Sequence, residues 1–348
     1  MFTENQNKVI KHLSSAKNID AFLVTYWADI FYLTGIELGE YFILVTKKGL
    51  TAISSPLLYD QLKHLLPDFN IIKTTNPIKT LREVFRENKI KSVGIDTRTI
   101  NAELLSKLRN KILSVKWKEK PGYISRIRQV KSEKEVALIK KSCEITRKVL
   151  SSIKKYLKPG MREKTVVDKI VELFSRYGTV PSFTPQVASG INASYPHHIA
   201  SDKVIEKNDV VIIDLGCRYK GYCSDMTRTF FMGRPDKLLR KIYNVVKEAQ
   251  KQARRKVKSG VRADSVDRVA RGIIKKYGFG KYFIHSTGHG VGIEVHEHPR
   301  LFAKDKTILK TNMVVTVEPG IYIPNSGGVR IEDTVLVRER REGKDVKI

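Results

Sequence analysis

Residues 210–231, VVIIDLGCRYKGYCSDMTRTFF, contain an apolar strand that ends in an acid and a second apolar run that follows another acid. Val210, Val211, Ile212 and Ile213 read as a buried strand with Asp214 at its end. Asp225 precedes Met226-Thr227, and Thr229-Phe230-Phe231 close the second run. A carboxylate among apolar neighbours is costly unless something compensates it. A turn centred on Tyr219-Lys220 sets Asp214 directly across from Asp225. Cross-strand partners have Cβ atoms roughly 4.5–5.5 Å apart, so two like charges there repel, and burial sharpens the repulsion.

The plan recurs in residues 313–337, MVVTVEPGIYIPNSGGVRIEDTVLV. Each copy has an apolar strand ending in acid-x-Gly, as Asp214-Leu215-Gly216 and Glu318-Pro319-Gly320. Each then has a polar or glycine-rich turn and a second acid near a threonine, as Asp225-Met226-Thr227 and Glu332-Asp333-Thr334. A turn centred on Asn325 sets Glu318 across from Glu332. One buried acid pair can be relieved by a proton or an arginine, but two pairs in matching hairpins ask for a cation. Four carboxylates favour hard or borderline divalent metals, and a two-metal centre of about 3.5–4 Å separation would bridge them.

A nitrogen ligand is close in sequence. FIHSTGHGVGIEVHEHPR, residues 283–300, carries His285, His289, His296 and His298, half of the eight histidines in the chain. Gly288, Gly290 and Gly292 let backbone crowd around His289. SYPHHIASDK, residues 194–203, adds His197 and His198. The HEHP sequence is not the helical HExxH zinc motif.

Outside these segments the order is helices, strands, helices, strands, which suggests an internal duplication. A capping box at Ser132 and Glu135 opens a long amphipathic helix with Val136, Ile139, Cys143, Ile145 and Val149 on or near its apolar face. A second helix covers residues 162–177, and two more lie between 236 and 277. Pro121-Gly122 punctuates the chain ahead of them, and the domain boundary is expected near 122–131. Residues 1–124 alternate short strands, such as DAFLVT and KSVGID, with helices and form an α/β layer domain of their own, in which Asp96 reads as a strand-end residue. The chain ends soon after its last strand, at REGKDVKI.

With 348 residues, two domains are the prior. No run of 18 apolar residues marks a transmembrane helix, and the polar N-terminus, MFTENQNKVIKHLSS, lacks the apolar centre of a signal peptide. Three cysteines form no disulfide framework, so a reducing cytoplasm is the expected location. The net charge of +29 raises a nucleic-acid partner. Its lysines are spread along helices without zinc-finger spacing or a basic tail, so a solvated basic surface and no specific nucleic-acid partner are expected.

DLG…SDMTRT, HSTGHGVGIEVHE, VVTVEPGIYI and GGVRIEDT together resemble the catalytic domain of the aminopeptidase P and prolidase family, densely from about residue 125 to 337. The resemblance implies a pita-bread α+β catalytic domain over residues 125–348, built of pseudo-duplicated helices and antiparallel sheet. It implies a creatinase-like α/β domain over residues 1–124. Carried over by position, Asp214 would hold one metal, Asp225 and Glu332 would bridge two, and His289 and Glu318 would complete the second. Arg330, on the same side as Glu332, is similar to the family's active-site arginine. His285 and His296 match its two histidines flanking the metal histidine. His197 fits the family's upstream histidine by spacing, while the adjacent His198 leaves the choice between the two open.

The implied reaction is hydrolysis of Xaa-Pro bonds. Two divalent ions, manganese or cobalt with zinc and iron also compatible, would activate a water. Glu318 would shuttle protons, and His296 and His285 would donate to oxyanion and carbonyl. A pocket shaped for the proline ring, which lacks an amide hydrogen, would select the bond. Prolidase action on dipeptides is favoured over aminopeptidase P action on longer peptides, and a homodimer is expected. A metal-free binding module and a metal-free creatinase are the competing classes; the complete ligand set speaks against both.

Overall fold

The computed structural model describes residues 2–39, 41–339 and 348, and it divides into two compact units, Met1–Arg128 and Gln129–Ile348. Residues 340–347, which hold most of the closing REGKDVKI segment, lie outside the described residues.

The first unit is an α/β layer. Its strands are β1 (Ala21–Val24), β2 (Tyr41–Thr46), β3 (Gly49–Ser54), β4 (Asn70–Lys73), β5 (Ser92–Ile95) and β6 (Lys116–Glu119), in the spatial order β4-β3-β2-β1-β5-β6. The β1–β2 pair is antiparallel, as is the β2–β3 hairpin that turns at Lys47-Lys48, and the others are parallel. Apolar side chains from β1, β2, β3 and β5 meet Leu81, Phe85 and Leu108 of the covering helices in one core. Asp96 ends its strand as expected, with its carboxylate accepting from the Arg98 and Gly122 N–H groups at 3.0 and 2.8 Å.

The second unit is built twice. Helices Glu133–Tyr156 and Glu163–Arg176 precede one set of strands, and Lys237–Lys256 and Ala263–Lys276 precede another. The junctions repeat in detail. Gly160 donates its N–H to the Ile205 carbonyl at 2.8 Å, and Gly260 to the Leu309 carbonyl at 2.9 Å. Arg162 bridges Val204 as Arg262 bridges Ile308. The capping box at Ser132 and Glu135 is formed, with both of its hydrogen bonds present. The strands are β7 (Val180–Pro181), β8 (Gln186–Ser189), β9 (Val210–Leu215), β10 (Cys217–Tyr219), β11 (Tyr222–Cys223) and β12 (Met226–Phe231), then β13 (Gly288–Gly290), β14 (Glu297–Leu301), β15 (Val314–Val317), β16 (Gly320–Ile323), β17 (Gly327–Arg330) and β18 (Asp333–Leu336). The sheets are β12-β9-β8, β11-β10-β7, β14-β13-β15-β18 and β16-β17.

The first hairpin departs from its expected register. Asp214 lies opposite Thr227, two residues beyond Asp225. The turn falls at Lys220-Gly221 rather than Tyr219-Lys220, because both central residues adopt positive φ, 47° and 82°, and glycine takes the second. At Gly216 the ladder leaves one sheet for the next, and a Cβ there would stand 2.0 Å from the Ser224 carbonyl oxygen. A slip of two residues preserves the face, since strand side chains alternate with period two. Asp214 and Asp225 therefore still point to one side as diagonal neighbours. The second copy keeps the expected register: Val317 faces Asp333 and Gly320 faces Arg330, so Glu318 and Glu332 sit opposite one another in the gap between the two ladders.

Candidate metal centre

The strand ends of both copies open into one cavity of about 450 Å³, whose wall includes Asp214, Asp225, His289, Glu318, Glu332 and Arg330. Asp225 and Glu332 are buried at 5% and 1% exposure. One ligand atom each from Asp225, His289 and Glu332 lies within 4.8 Å of the others. His289 Nε2 stands 3.2 Å from Glu318 Oε1 and 3.5 Å from Asp225 Oδ2.

Local contacts aim these groups. His289 Nδ1 lies 3.0 Å from the Gly290 carbonyl oxygen, to which only a protonated nitrogen can bond, so Nε2 is the nitrogen turned to the acids, as a hydrogen-bond donor to them or as a ligand to a cation. Thr316 Oγ1 accepts the His289 N–H at 3.0 Å and donates to Glu318 Oε1 at 3.1 Å. Thr227 Oγ1 donates to Glu332 Oε2 at 2.7 Å, tying the first hairpin to the acid of the second. Arg330 donates to Asp214 Oδ2 at 2.8 Å, to the Tyr322 hydroxyl at 2.9 Å and to Thr227 Oγ1 at 3.1 Å.

Four carboxylates thus face one arginine. Burial raises the pKa of Asp214, and burial with the neighbouring acids raises those of Asp225 and Glu332 well above the ordinary range. Burial also pushes Glu318 up, but the His289 hydrogen bond and charge outweigh it and hold Glu318 at about 2. Asp214 Oδ1, Asp225 Oδ1 and Glu332 Oε1 are buried without any hydrogen-bond partner among the described residues. Three bare carboxylate oxygens and the His289 imidazole in one cavity wall form a donor set of oxygens and a nitrogen, and the residues fit divalent cations.

The remaining histidines separate by environment. His285 places Nδ1 2.8 Å from the Ser286 carbonyl and Nε2 3.0 Å from the Tyr322 hydroxyl, and burial lowers its pKa. Both of its nitrogens are engaged, so a neutral His285 has no N–H left for a ligand, unlike the donor expected from sequence. His296 packs its ring on His289 with centroids 4.3 Å apart. Its edge is open to solvent, yet the cavity wall and His289 lower its pKa to about 4, so it is neutral at pH 7. Among the described residues neither His296 ring nitrogen has a hydrogen-bond partner. His197 lines the cavity. His198 instead sits 2.8 Å from buried Glu163, which also accepts from Ser189, Asn192 and Ser201 and so fixes the loop that carries His197. Tyr322 was not singled out in the sequence because it reads as an ordinary aromatic of a buried strand; its alternation with Gly320, which places it on the acid face, was the available signal. Phe183, Thr184 and Gln186 line the cavity from a segment without any polar motif.

A sequence model of metallopeptidase family M24 matches residues 137–339, and one of the creatinase/prolidase N-terminal domain matches residues 7–130. The chain is 39% identical over 340 residues to an Xaa-Pro dipeptidase of Pyrococcus horikoshii, covering 97% of this chain and 95% of that one. Among solved structures, an Xaa-Pro dipeptidase from Bacillus anthracis superposes with a TM-score of 0.92 at 33% identity over 97% of this chain and 95% of the other. An X-Pro aminopeptidase from Thermotoga maritima gives 0.85 at 32% identity over 92% and 93%. Both domains of this architecture are accounted for, and the chain belongs to metallopeptidase family M24.

Proposed function

We propose that this chain is a prolidase, an Xaa-Pro dipeptidase whose five ligands Asp214, Asp225, His289, Glu318 and Glu332 hold two divalent ions. The observation that carries the reading is the set of three buried carboxylate oxygens without partners among the described residues, on Asp214, Asp225 and Glu332, in the cavity wall that also holds His289 and Glu318. Bound there, such ions lower the pKa of a water and polarise the scissile carbonyl.

The chain's own groups do the rest. Glu318, ionised and 3.2 Å from His289, accepts the proton of the attacking water and returns it to the leaving nitrogen. His296, neutral and with free ring nitrogens, donates to the developing oxyanion. Arg330 offsets the charge of Asp214 and fixes the Tyr322 hydroxyl, through which His285 acts on the site. His197, on the cavity wall, is the upstream histidine that contacts substrate. We place residues 1–124 as the domain that accompanies the catalytic residues 125–348. Manganese or cobalt as the ions, a homodimer in solution, a cytoplasmic location and the lack of a specific nucleic-acid partner belong to the same reading.

The second reading is an aminopeptidase that cuts Xaa-Pro from longer peptides, favoured by the similarity to the Thermotoga maritima aminopeptidase. After metal reconstitution, kcat/KM on an Xaa-Pro dipeptide should exceed that on an Xaa-Pro-Xaa tripeptide. The reverse order assigns the aminopeptidase activity, and no cleavage of either rejects both.

A further inference from the structure

The segment between β13 and β14, residues 291–296, leaves the sheet after Gly290 and returns at Glu297, with the ladder register shifting beside Gly290. His296 is its last residue. Under the excursion lies an ion pair that the reaction does not touch. Lys131 Nζ donates to Glu297 Oε2 at 2.9 Å, and the two side chains are 2% and 5% exposed. They are separated by 166 residues in sequence. Glu297 Oε1 accepts from the N–H groups of Ile293 and Glu294 at 3.1 and 3.3 Å, so the carboxylate caps the turn from inside. Gly292 leaves room for it, since a Cβ there would stand 2.6 Å from Glu297 Oε2. The Gly292 carbonyl accepts from the Cys223 N–H at 2.8 Å, two residues before Asp225. Lys131 is itself fixed, with its N–H donating to the Asn312 carbonyl at 3.0 Å.

A buried ion pair is a poor device for stability, because desolvating both charges consumes what their attraction returns. Its yield here is placement. The turn folds around one carboxylate, and that carboxylate is held by one cation anchored elsewhere in the fold. The residue before Glu297 is the one whose ring must lie over His289. We propose that Lys131 and Glu297 are positioning residues that set His296 against the metal centre. The proposal rests on the role given to His296 above.

The test is a double-mutant cycle in the full-length, metal-loaded protein. Lys131→Met should lower kcat on an Xaa-Pro dipeptide roughly 10- to 100-fold, the cost of a displaced catalytic group, with metal content unchanged. Lys131→Arg, which keeps the charge, should recover most of it. In a His296→Ala background, Lys131→Met should cost less than about twofold more, because the group it positions is gone. The same factor in both backgrounds, or an unchanged kcat in the first, would overturn the proposal. If Lys131→Met does not fold, Glu297→Gln, which keeps the acceptor for the Ile293 N–H and removes the charge, carries the same comparison. Wild-type protein that takes up metal but cleaves no Xaa-Pro substrate would defeat the peptidase reading by itself. The positioning claim is then read without activity, from the His296 ring signal of zinc-loaded protein with carbon-labelled histidine, identified by its loss in His296→Ala. It should be single in wild type and broadened or split in Lys131→Met; an unchanged signal overturns the claim.

Discussion

His197 and His198 are adjacent, and the structure sends them to different tasks. His198 is one of several donors that satisfy the buried Glu163 carboxylate. Its loss should cost about 1 kcal/mol of stability, the usual worth of such a bond, with little change in turnover. His197→Ala should instead reduce kcat by about 10²-fold at unchanged stability. Paired measurements of kcat and thermal midpoint check this; the opposite pattern would exchange their roles. The carboxylates make a second prediction at this scale. Asp214, Asp225 and Glu332 have raised pKa values in the metal-free protein. Groups raised on folding favour the folded state below their unfolded pKa, and that contribution is lost as pH rises through the folded value. Metal-free protein is thus penalised at neutral pH. Metal binding must expel the protons held there, so affinity and the gap in thermal midpoint between loaded and metal-free protein should widen as pH rises. Titration calorimetry in two buffers of different ionisation enthalpy should show proton release, and identical heats in both would count against it.

At the scale of elements, the hairpins were legible in composition but not in register. Asp214-Leu215-Gly216 and Glu318-Pro319-Gly320 announced two copies, and the strands, the helix pairs and the capping box at Ser132 lie where periodicity put them. The first hairpin slipped by two residues because turn geometry, which favours Lys220-Gly221, overrides symmetry about the acids. The acids kept their common face only because the slip was even. The face of Tyr322 was legible from its alternation with Gly320, but the engagement of both His285 nitrogens was not, since it depends on how the segment before β13 packs against β16. Gly216 is the element's tightest point. Gly216→Ala, two residues after Asp214, would press a methyl group against the carbonyl of Ser224, the residue before Asp225, and should destabilise the protein by about 1–3 kcal/mol. Urea unfolding reads this directly, and an unchanged midpoint would show that the crossover relaxes freely.

For the whole molecule, the duplication explains why neither half could hold the centre alone. One copy supplies Asp214 and Asp225, the other supplies His289, Glu318 and Glu332, and Thr227 and Arg330 reach across between them. The repeated order of helices and acids made this visible in sequence, whereas the convergence of the strand ends is a product of packing. The centre concentrates four carboxylates inside a chain of net charge +29. At physiological salt that surface charge is screened beyond about 8 Å, so it leaves the local preference for cations intact. Among the described residues no helix is long and apolar enough to cross a membrane. Whether this constellation binds divalent ions and hydrolyses Xaa-Pro bonds with them is read by stripping the protein with chelator, restoring manganese or cobalt, and measuring bound metal and Xaa-Pro dipeptide hydrolysis on the same sample. Activity should vanish on stripping and return as occupancy approaches two ions per chain, whereas full activity in the metal-free sample would refute a metal-dependent hydrolysis.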